Sequence, residues 1–329
     1  MSDSAPIVTI FGGSGFVGRY IAQRMARRGW RVRVAVRRPN DAHFVRPYGD
    51  VGQVEPVQAN IRDDASVARA VAGATAVINC VGLLAQSGKQ TFDAVQAKGA
   101  ERVALAAKAA GVTRFVQISA IGADAGSAAG YATSKAAAEA SVLAAFPDAV
   151  ILRPSIVFGT EDQFFNRFAA MARLSPIIPA VGAATKFQPV YVDDVAEAAA
   201  RGATGQAAPG IYELGGPVVY TFRALMVLML SVIRRRRKVV NVPFGVARLM
   251  AKGMELGQTL SLGLIKAQIT TDQVEMLKTD NVVSEDAMGF DTLGIVPTPA
   301  EAVLDSYLYP WRPYGQYAKI TERAKKLKV

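Results

Sequence analysis

Apolar positions in the first 120 residues fall into short β-branched runs separated by helical stretches. PIVTIF (6–11), RVRVAV (31–36), VEPVQA (54–59), TAVINCVGLL (75–84) and RFVQIS (114–119) read as strands. Between them, Ile21, Met25 and Ala26 recur at helical spacing ahead of Gly29. DASVARAVAG reads as a second helix, and an alanine-rich helix covers roughly 93 to 110. Strand and helix alternating in this way predict an α/β chain with a doubly wound parallel sheet and right-handed crossovers. In such sheets ligands lie beyond the carboxyl ends of the strands. Gly15, Arg37, Asn60, Gly82 and Ser119 fall at those ends.

The link between the first strand and first helix is GGSGFVG (12–18). Gly12 permits a tight turn, Gly15 lets backbone approach a pyrophosphate, and Gly18 lets the helix sit close to the sheet. Gly13, Gly15 and Gly18 also fit the G-x-G-x-x-G register. Phosphates would rest on free N–H groups at the helix start, which makes the sheet a Rossmann-type dinucleotide domain. The second strand ends at Arg37 and Arg38. An NAD site usually places Asp or Glu there for the ribose 2′-hydroxyl, whereas two arginines suit a 2′-phosphate, so the pair favours NADP(H). The alternative is a solvated pair before Pro39. NIRD (60–63) would lie by the adenine.

After the fifth strand comes Tyr131-x-x-x-Lys135 at the start of a helix, with Ser119 a short loop upstream. Spacing of four puts the phenol and the amine on one helix face. Lys135 would hydrogen-bond a nicotinamide ribose, and its charge would help the phenol act as acid or base. The alternative is an ordinary helix on which Tyr and Lys happen to align.

Composition narrows the chemistry. A 51% apolar content is ample for a buried core. The lone cysteine, Cys80, lies in an apolar run and reads as a small core residue; the lone histidine, His43, has no ligand cluster near it, so no metal is expected. One cysteine cannot hold an iron–sulfur cluster, and neither a cluster nor a flavin is expected in this chain. The most apolar stretch, ALMVLMLSVI (224–233), falls short of the ~20 residues of a spanning helix. MSDSAPIVTIF carries neither a signal-like nor an Arg-rich opening, so no export or import is expected.

The net charge of +11 is spread along the chain, with concentrations at RRRRK (234–238) and in SYLYPWRPYGQYAKITERAKKLKV (306–329). The first reads either as a solvated helix end or as a docking patch for an acidic protein or anionic lipid headgroups. The second reads either as a partner-binding tail or as one wrapped over its own domain. No recognition motif accompanies the charge, so nucleic acid is not an expected partner.

GGSGFVG, YATSK, RPSIVFG (153–159) and FQPVYVDDVAEAA (187–199) resemble the extended and atypical branches of the short-chain dehydrogenase/reductase superfamily. That resemblance implies a Ser/Thr, Tyr, Lys catalytic set, here Ser119, Tyr131 and Lys135 if the chain is active. It departs from the pattern at one place. The family usually reads Ser-Ser after the fifth strand and uses the second hydroxyl, where this chain has Ala120. The resemblance also implies a smaller, discontinuous, α-rich C-terminal domain. The expected division is 1–159 with 186–217 for the dinucleotide domain, 160–185 with 218–305 for the smaller one, and 306–329 as a basic aromatic tail.

Over nearly the whole chain the sequence is similar to the NADPH-binding accessory subunits of respiratory complex I, NADH:ubiquinone oxidoreductase. FGGSGFVGRY, QISAIGADAGSAAGYATSKAAAE, ILRPSIVFGTEDQFFNRFA, ITTDQVEMLKTDNVVS and LGIVPTPAEAVL (293–304) carry this likeness. It implies a tightly held NADPH without turnover and a role in assembly or stability of the peripheral arm, at the quinone-module junction with the membrane. Without a presequence, the expected setting is the cytoplasmic face of a bacterial inner membrane. The resulting candidate nucleotide contacts are Gly12, Gly13, Ser14, Gly15, Phe16, Val17, Gly18, Arg37, Arg38, Asn60, Ile61, Val81, Gly82, Leu83, Ser119, Tyr131, Lys135, Pro154 and Ile156. The competing expectation is a free-standing NADP-dependent reductase or epimerase/dehydratase.

Overall fold

A computed structural model of the chain describes residues 5–260 and 269–315. The described residues divide into two compact units, the first comprising 5–155, 192–215 and 283–296, the second the others.

The first unit is built on seven parallel strands. β1 (Ile7–Phe11), β2 (Arg31–Val36), β3 (Val54–Gln58), β4 (Ala76–Asn79), β5 (Arg114–Ile118), β6 (Val150–Pro154) and β11 (Gly210–Leu214) lie in the order β11-β6-β5-β4-β1-β2-β3. The order reverses beside β1, which makes the end of β1 the topological switch point where such sheets take their ligands. Helices α1 (Phe16–Arg27), α2 (Asp64–Val71), α3 (Lys98–Ala109), α4 (Gly130–Ala145) and α6 (Val192–Thr204) supply the crossovers. β1 to β5 and helices α1, α2 and α3 are those the apolar pattern predicts. The fourth strand is shorter than its apolar run, because Asn79 ends the ladder and the chain turns away through 80–83.

Side chains alternate across the sheet. Phe11, Val77, Phe115 and Ile151 meet Val67, Val71, Val103, Ala104 and Val142 from α2, α3 and α4 in one continuous apolar layer. Burying each large aliphatic side chain there contributes roughly 1.5–3 kcal/mol. On α6, Gly202 leaves room for β5 and β6: an added Cβ would stand 2.9 Å from Val116. α1 and α6 are joined by ions. Arg24 grips Asp193 through two bonds of 2.8 and 2.7 Å and reaches Glu197 at 2.7 Å, and Arg28 and Arg201 also donate to Glu197. Burial works to raise the Glu197 carboxyl, but those guanidinium bonds outweigh it and its pKa falls below the usual value. Residues 283–296, which the sequence alone grouped with the smaller domain, belong to this unit; Met288 accepts from the amide of Glu213 at 2.9 Å beside β11.

The second unit is helix-rich. α5 (Phe165–Leu174), α7 (Phe222–Val232) and α10 (Ala300–Leu308) close on Phe158, Phe165, Leu225, Met229 and Leu304. Strand pairs surround them: β7 (Val157–Phe158) with β10 (Val190–Tyr191), β8 (Ile177–Val181) with β13 (Lys238–Val242), and β9 (Lys186–Phe187) with β12 (Tyr220–Thr221). α8 (Phe244–Leu260) and α9 (Thr271–Met276) follow, the latter opened by a reciprocal Thr270–Gln273 cap. The apolar 224–233 stretch is a helix with one buried face, as expected.

The basic run is not simply solvated. Arg235 donates to the carbonyl of Trp311 at 2.9 Å and Arg237 to that of Ala172 at 2.8 Å, while Arg236 and Lys238 are exposed. The start of the expected tail is folded in. Tyr307 donates to the buried Asp162 at 2.5 Å, Trp311 to Asn166 at 3.0 Å, and Arg312 to the carbonyl of Val232 at 2.9 Å. Residues 316–329 lie outside the described residues.

Candidate nucleotide-binding site

Because the strands are parallel and in register, their carboxyl ends share one edge, and the loops there gather the residues singled out above. Gly12 follows β1 with φ +74°, a conformation that favours glycine. Its amide donates to Ala35, and the amide of Gly15 returns to Gly12 at 2.9 Å, closing the turn. At Gly18 an added Cβ would lie 2.3 Å from the Gly12 carbonyl oxygen, so only glycine lets α1 start this close to the sheet. Among the described residues no side chain caps α1. The amides of Phe16, Val17 and Gly18 precede the first intrahelical bond, from Arg19 to Gly15, and their dipole end is a ready anion site. Ser14 lies in the turn; its carbonyl accepts from Arg19, whose guanidinium also covers the Phe44 ring at 4.7 Å.

Beyond β2 and β3 lies a cavity of about 320 Å³ lined by Arg37, Gln58, Ala59, Asn60, Arg62, Asp63, Ser66 and Arg69. Arg37 is where the sequence places it. Arg38 is not among the lining residues; it is exposed and lies 3.9 Å from Asp41. Arg62 and Arg69 enter instead, the latter projected by α2, whose start Asp63 caps by accepting from Ser66 at 2.7 Å. Ile61 is buried in the layer beneath, against Gly99.

The 81–83 loop is held by buried amides. Asn79 accepts from Val81 at 3.2 Å and donates to Gln117 at 2.9 Å, tying the ends of β4 and β5 together. Gln96 accepts from Leu83 at 2.8 Å and donates to Ser134 at 2.7 Å, tying the same loop to α4. An added Cβ on Gly82 would sit 3.5 Å from Lys135 Nζ, so this loop and the lysine share one small space.

Tyr131 and Lys135 lie on one face of α4, with Nζ 5.8 Å from the phenol ring centre. The ring meets Phe92 edge-on at 6.0 Å. Lys135 is only 4% exposed, and Nζ donates to the Ile118 carbonyl at 3.2 Å. Burial lowers its pKa to about 8, opposed by the charge of Glu139. Burial also pushes the neighbouring Cys80 thiol up to about 12, which keeps it protonated and unreactive.

Ser119 is placed differently from its two expected partners in chemistry. It is buried, and its hydroxyl donates to Glu139. Glu139 in turn is clamped by Arg153 at 2.9 and 2.6 Å, and Arg153 lies 3.7 Å from Glu213. The hydroxyl therefore serves an ionic cluster inside the first unit. Pro154 ends β6 in the same unit, and Ile156 opens the second. Glu139, Arg153, Asn79, Gln96 and Gln117 were not singled out from the sequence, although polar residues inside TAVINCVG and RFVQIS were a visible signal for two of them.

The model of the NAD dependent epimerase/dehydratase family matches residues 8–215, which span the whole sheet. The chain belongs to that family. Within it, the chain is 36% identical over 321 residues to the mitochondrial NADH dehydrogenase [ubiquinone] 1 alpha subcomplex subunit 9 of Arabidopsis thaliana, covering 95% of this chain and 80% of the relative. A ceramide reductase of Caulobacter vibrioides is 34% identical over a shorter span, 59% of this chain and 60% of its own. Among solved structures, the NADPH-dependent quinone oxidoreductase QOR2 of Escherichia coli shares the fold at TM-score 0.69 and 20% identity, covering 92% of this chain and 98% of that one. Full-length homology to complex I subunits thus matches the narrower resemblance read from the sequence.

Proposed function

We propose that this chain is a non-catalytic, NADPH-binding accessory subunit that stabilises or helps assemble the peripheral arm of a bacterial respiratory complex I. Its place would be the cytoplasmic face of the inner membrane, at the quinone-module junction. The observation that carries this reading is the likeness to the Arabidopsis subunit across 95% of the chain. The seating of Ser119 supports the non-catalytic part: its hydroxyl is engaged by Glu139, and Ala120 offers none.

The residues fit a dinucleotide. The glycine cradle and the amides at the start of α1 would take the pyrophosphate. Arg37, with Arg62 and Arg69 in the cavity it lines, would take a 2′-phosphate. Asn60 would stand by the adenine, and Tyr131 and Lys135 would hold the nicotinamide ribose. A bound NADPH would supply a hydride donor, and these residues would orient it. Retained without turnover, it would act as a ligand that favours the folded state.

A second reading, a free-standing NADP-dependent reductase or epimerase, is favoured by the intact Tyr131/Lys135 pair and by the likeness to the Caulobacter reductase. Purification from native membranes in mild detergent separates the two. Co-migration with a large quinone-reducing assembly, unaffected in activity by Tyr131→Phe, supports the first. A soluble monomer or dimer whose turnover Tyr131→Phe abolishes supports the second.

A further inference from the structure

The hairpin between β4 and α3 is fastened at both ends of the proposed dinucleotide site. Ser87 and Gln90 pair across a tight turn through bonds of 3.0 and 2.9 Å, and Gly88 takes φ +53° at its tip. Arg62, which lines the cavity beyond β3, donates to the carbonyl of Lys89 at 3.1 Å. At its other end the hairpin runs into Phe92, which is buried and meets the Tyr131 ring edge-on at 6.0 Å. The side chain of Gln86 accepts from the Phe92 amide at 3.0 Å. The foot is fixed as well, where Gln96 accepts from the amide of Leu83 at 2.8 Å. Between these fastenings residues 84–89 are exposed. A segment with held feet and an exposed middle opens locally at low cost, without disturbing the sheet.

We propose that residues 84–91 form a strap that retains the dinucleotide, and that Arg62 fastens this strap in response to the 2′-phosphate. The inference rests on the nucleotide-binding reading above and deepens it. A guanidinium carries five N–H donors in a planar fork, so Arg62 can hold a phosphate and the Lys89 carbonyl together. A phosphate in the cavity would fix that guanidinium through charge-assisted bonds, and a fixed guanidinium fixes the strap. A ribose 2′-hydroxyl carries no charge with which to do so. Arg37 and Arg69 would bind the phosphate; Arg62 would also report its presence to the hairpin. Ordering of a surface loop by the ligand it encloses slows release of that ligand. The strap thus gives one chain slow exchange of NADPH and fast exchange of NADH.

The test is hydrogen–deuterium exchange of the full chain, read at the amides of 84–91, with saturating NADPH and with saturating NADH. NADPH is expected to slow exchange there about tenfold, the effect of one charge-assisted bond, and NADH to leave it unchanged. Gly88→Val strains the tip, where φ is positive, while an added Cβ meets no atom of the described residues within 4 Å. It therefore loosens the turn without crowding the site. In this variant NADPH should dissociate about tenfold faster by stopped flow. NADH dissociation and the melting temperature of the nucleotide-free chain should not change. A hairpin with a merely structural role would alter the release of both nucleotides alike. NADPH binding with unchanged exchange at 84–91 overturns the inference and leaves the nucleotide site standing. Equal slowing by both nucleotides overturns it too, as does release of NADPH from Gly88→Val at the parent rate. If titration finds that neither nucleotide binds, the reading of the site fails and the inference with it.

Discussion

The hydroxyl of Ser119 donates to Glu139, one helical turn beyond Lys135. The bond turns the one hydroxyl available at the end of β5 toward a buried ion pair. It also places a carboxylate where it raises the charge affinity of Lys135. Removing that carboxylate leaves the Arg153 guanidinium with Glu213 at 3.7 Å as its remaining ion partner. Glu139→Gln should destabilise the chain by about 2 kcal/mol, below the cost of a fully buried pair because Arg153 is partly exposed. Ser119→Ala should cost about 1 kcal/mol. Urea denaturation measures both.

Lys135 carries a pH signature. Its folded pKa, about 8, lies below the ordinary 10.5, so folding favours the neutral amine. The stability it contributes is present above the unfolded pKa and lost as pH falls through about 8. Without nucleotide, the unfolding free energy should therefore drop by about 3 kcal/mol between pH 10.5 and pH 7 through this group. Lys135→Met should flatten that part of the profile; an unchanged slope in the variant would refute the assignment.

Gly18→Ala tests the cradle. With 2.3 Å between the new Cβ and the Gly12 carbonyl, α1 must move off the sheet. Nucleotide retention should be lost, with a fall in stability of about 2–3 kcal/mol from overpacking. Calorimetry with added NADPH reads both effects.

In the proposed function the arginine-lined cavity would set the choice between nucleotides. Arg37→Ala should weaken NADPH binding by about 2 kcal/mol while leaving NADH affinity nearly unchanged, because in the proposed pose only the 2′-phosphate would meet the guanidinium that lines this cavity. Arg69→Ala should act in the same direction, whereas Arg38→Ala should have little effect. Titration with each nucleotide decides. Equal losses for both would place Arg37 elsewhere on the ligand.

Much of the first unit was legible in the sequence, because a parallel sheet writes itself as β-branched runs spaced by helices, and Gly12, Gly15 and Gly18 obey a steric rule. The direction of Ser119 was not legible. At a strand end neighbouring residues point opposite ways, and only the packing of α4 on β5 decides which neighbour meets Glu139. Arg69 escaped for a similar reason: it reaches the cavity from α2, at no fixed spacing from Arg37, while Arg62 stood in NIRD, read as an adenine neighbour and not as a second cation beside Arg37. Arg38, adjacent in sequence, turns outward. In the second unit, composition could not separate a solvated basic run from one that donates to carbonyls, as Arg235 and Arg237 do.

In the proposed role the nucleotide is held and not consumed. The most direct measurement is the amount and redox state of nucleotide bound to the purified assembly during steady-state NADH oxidation with ubiquinone. The expected result is NADPH in a fixed ratio to this chain, unchanged in redox state while turnover proceeds. Oxidation and re-reduction of that nucleotide in step with turnover, or NAD(H) in its place, would contradict it.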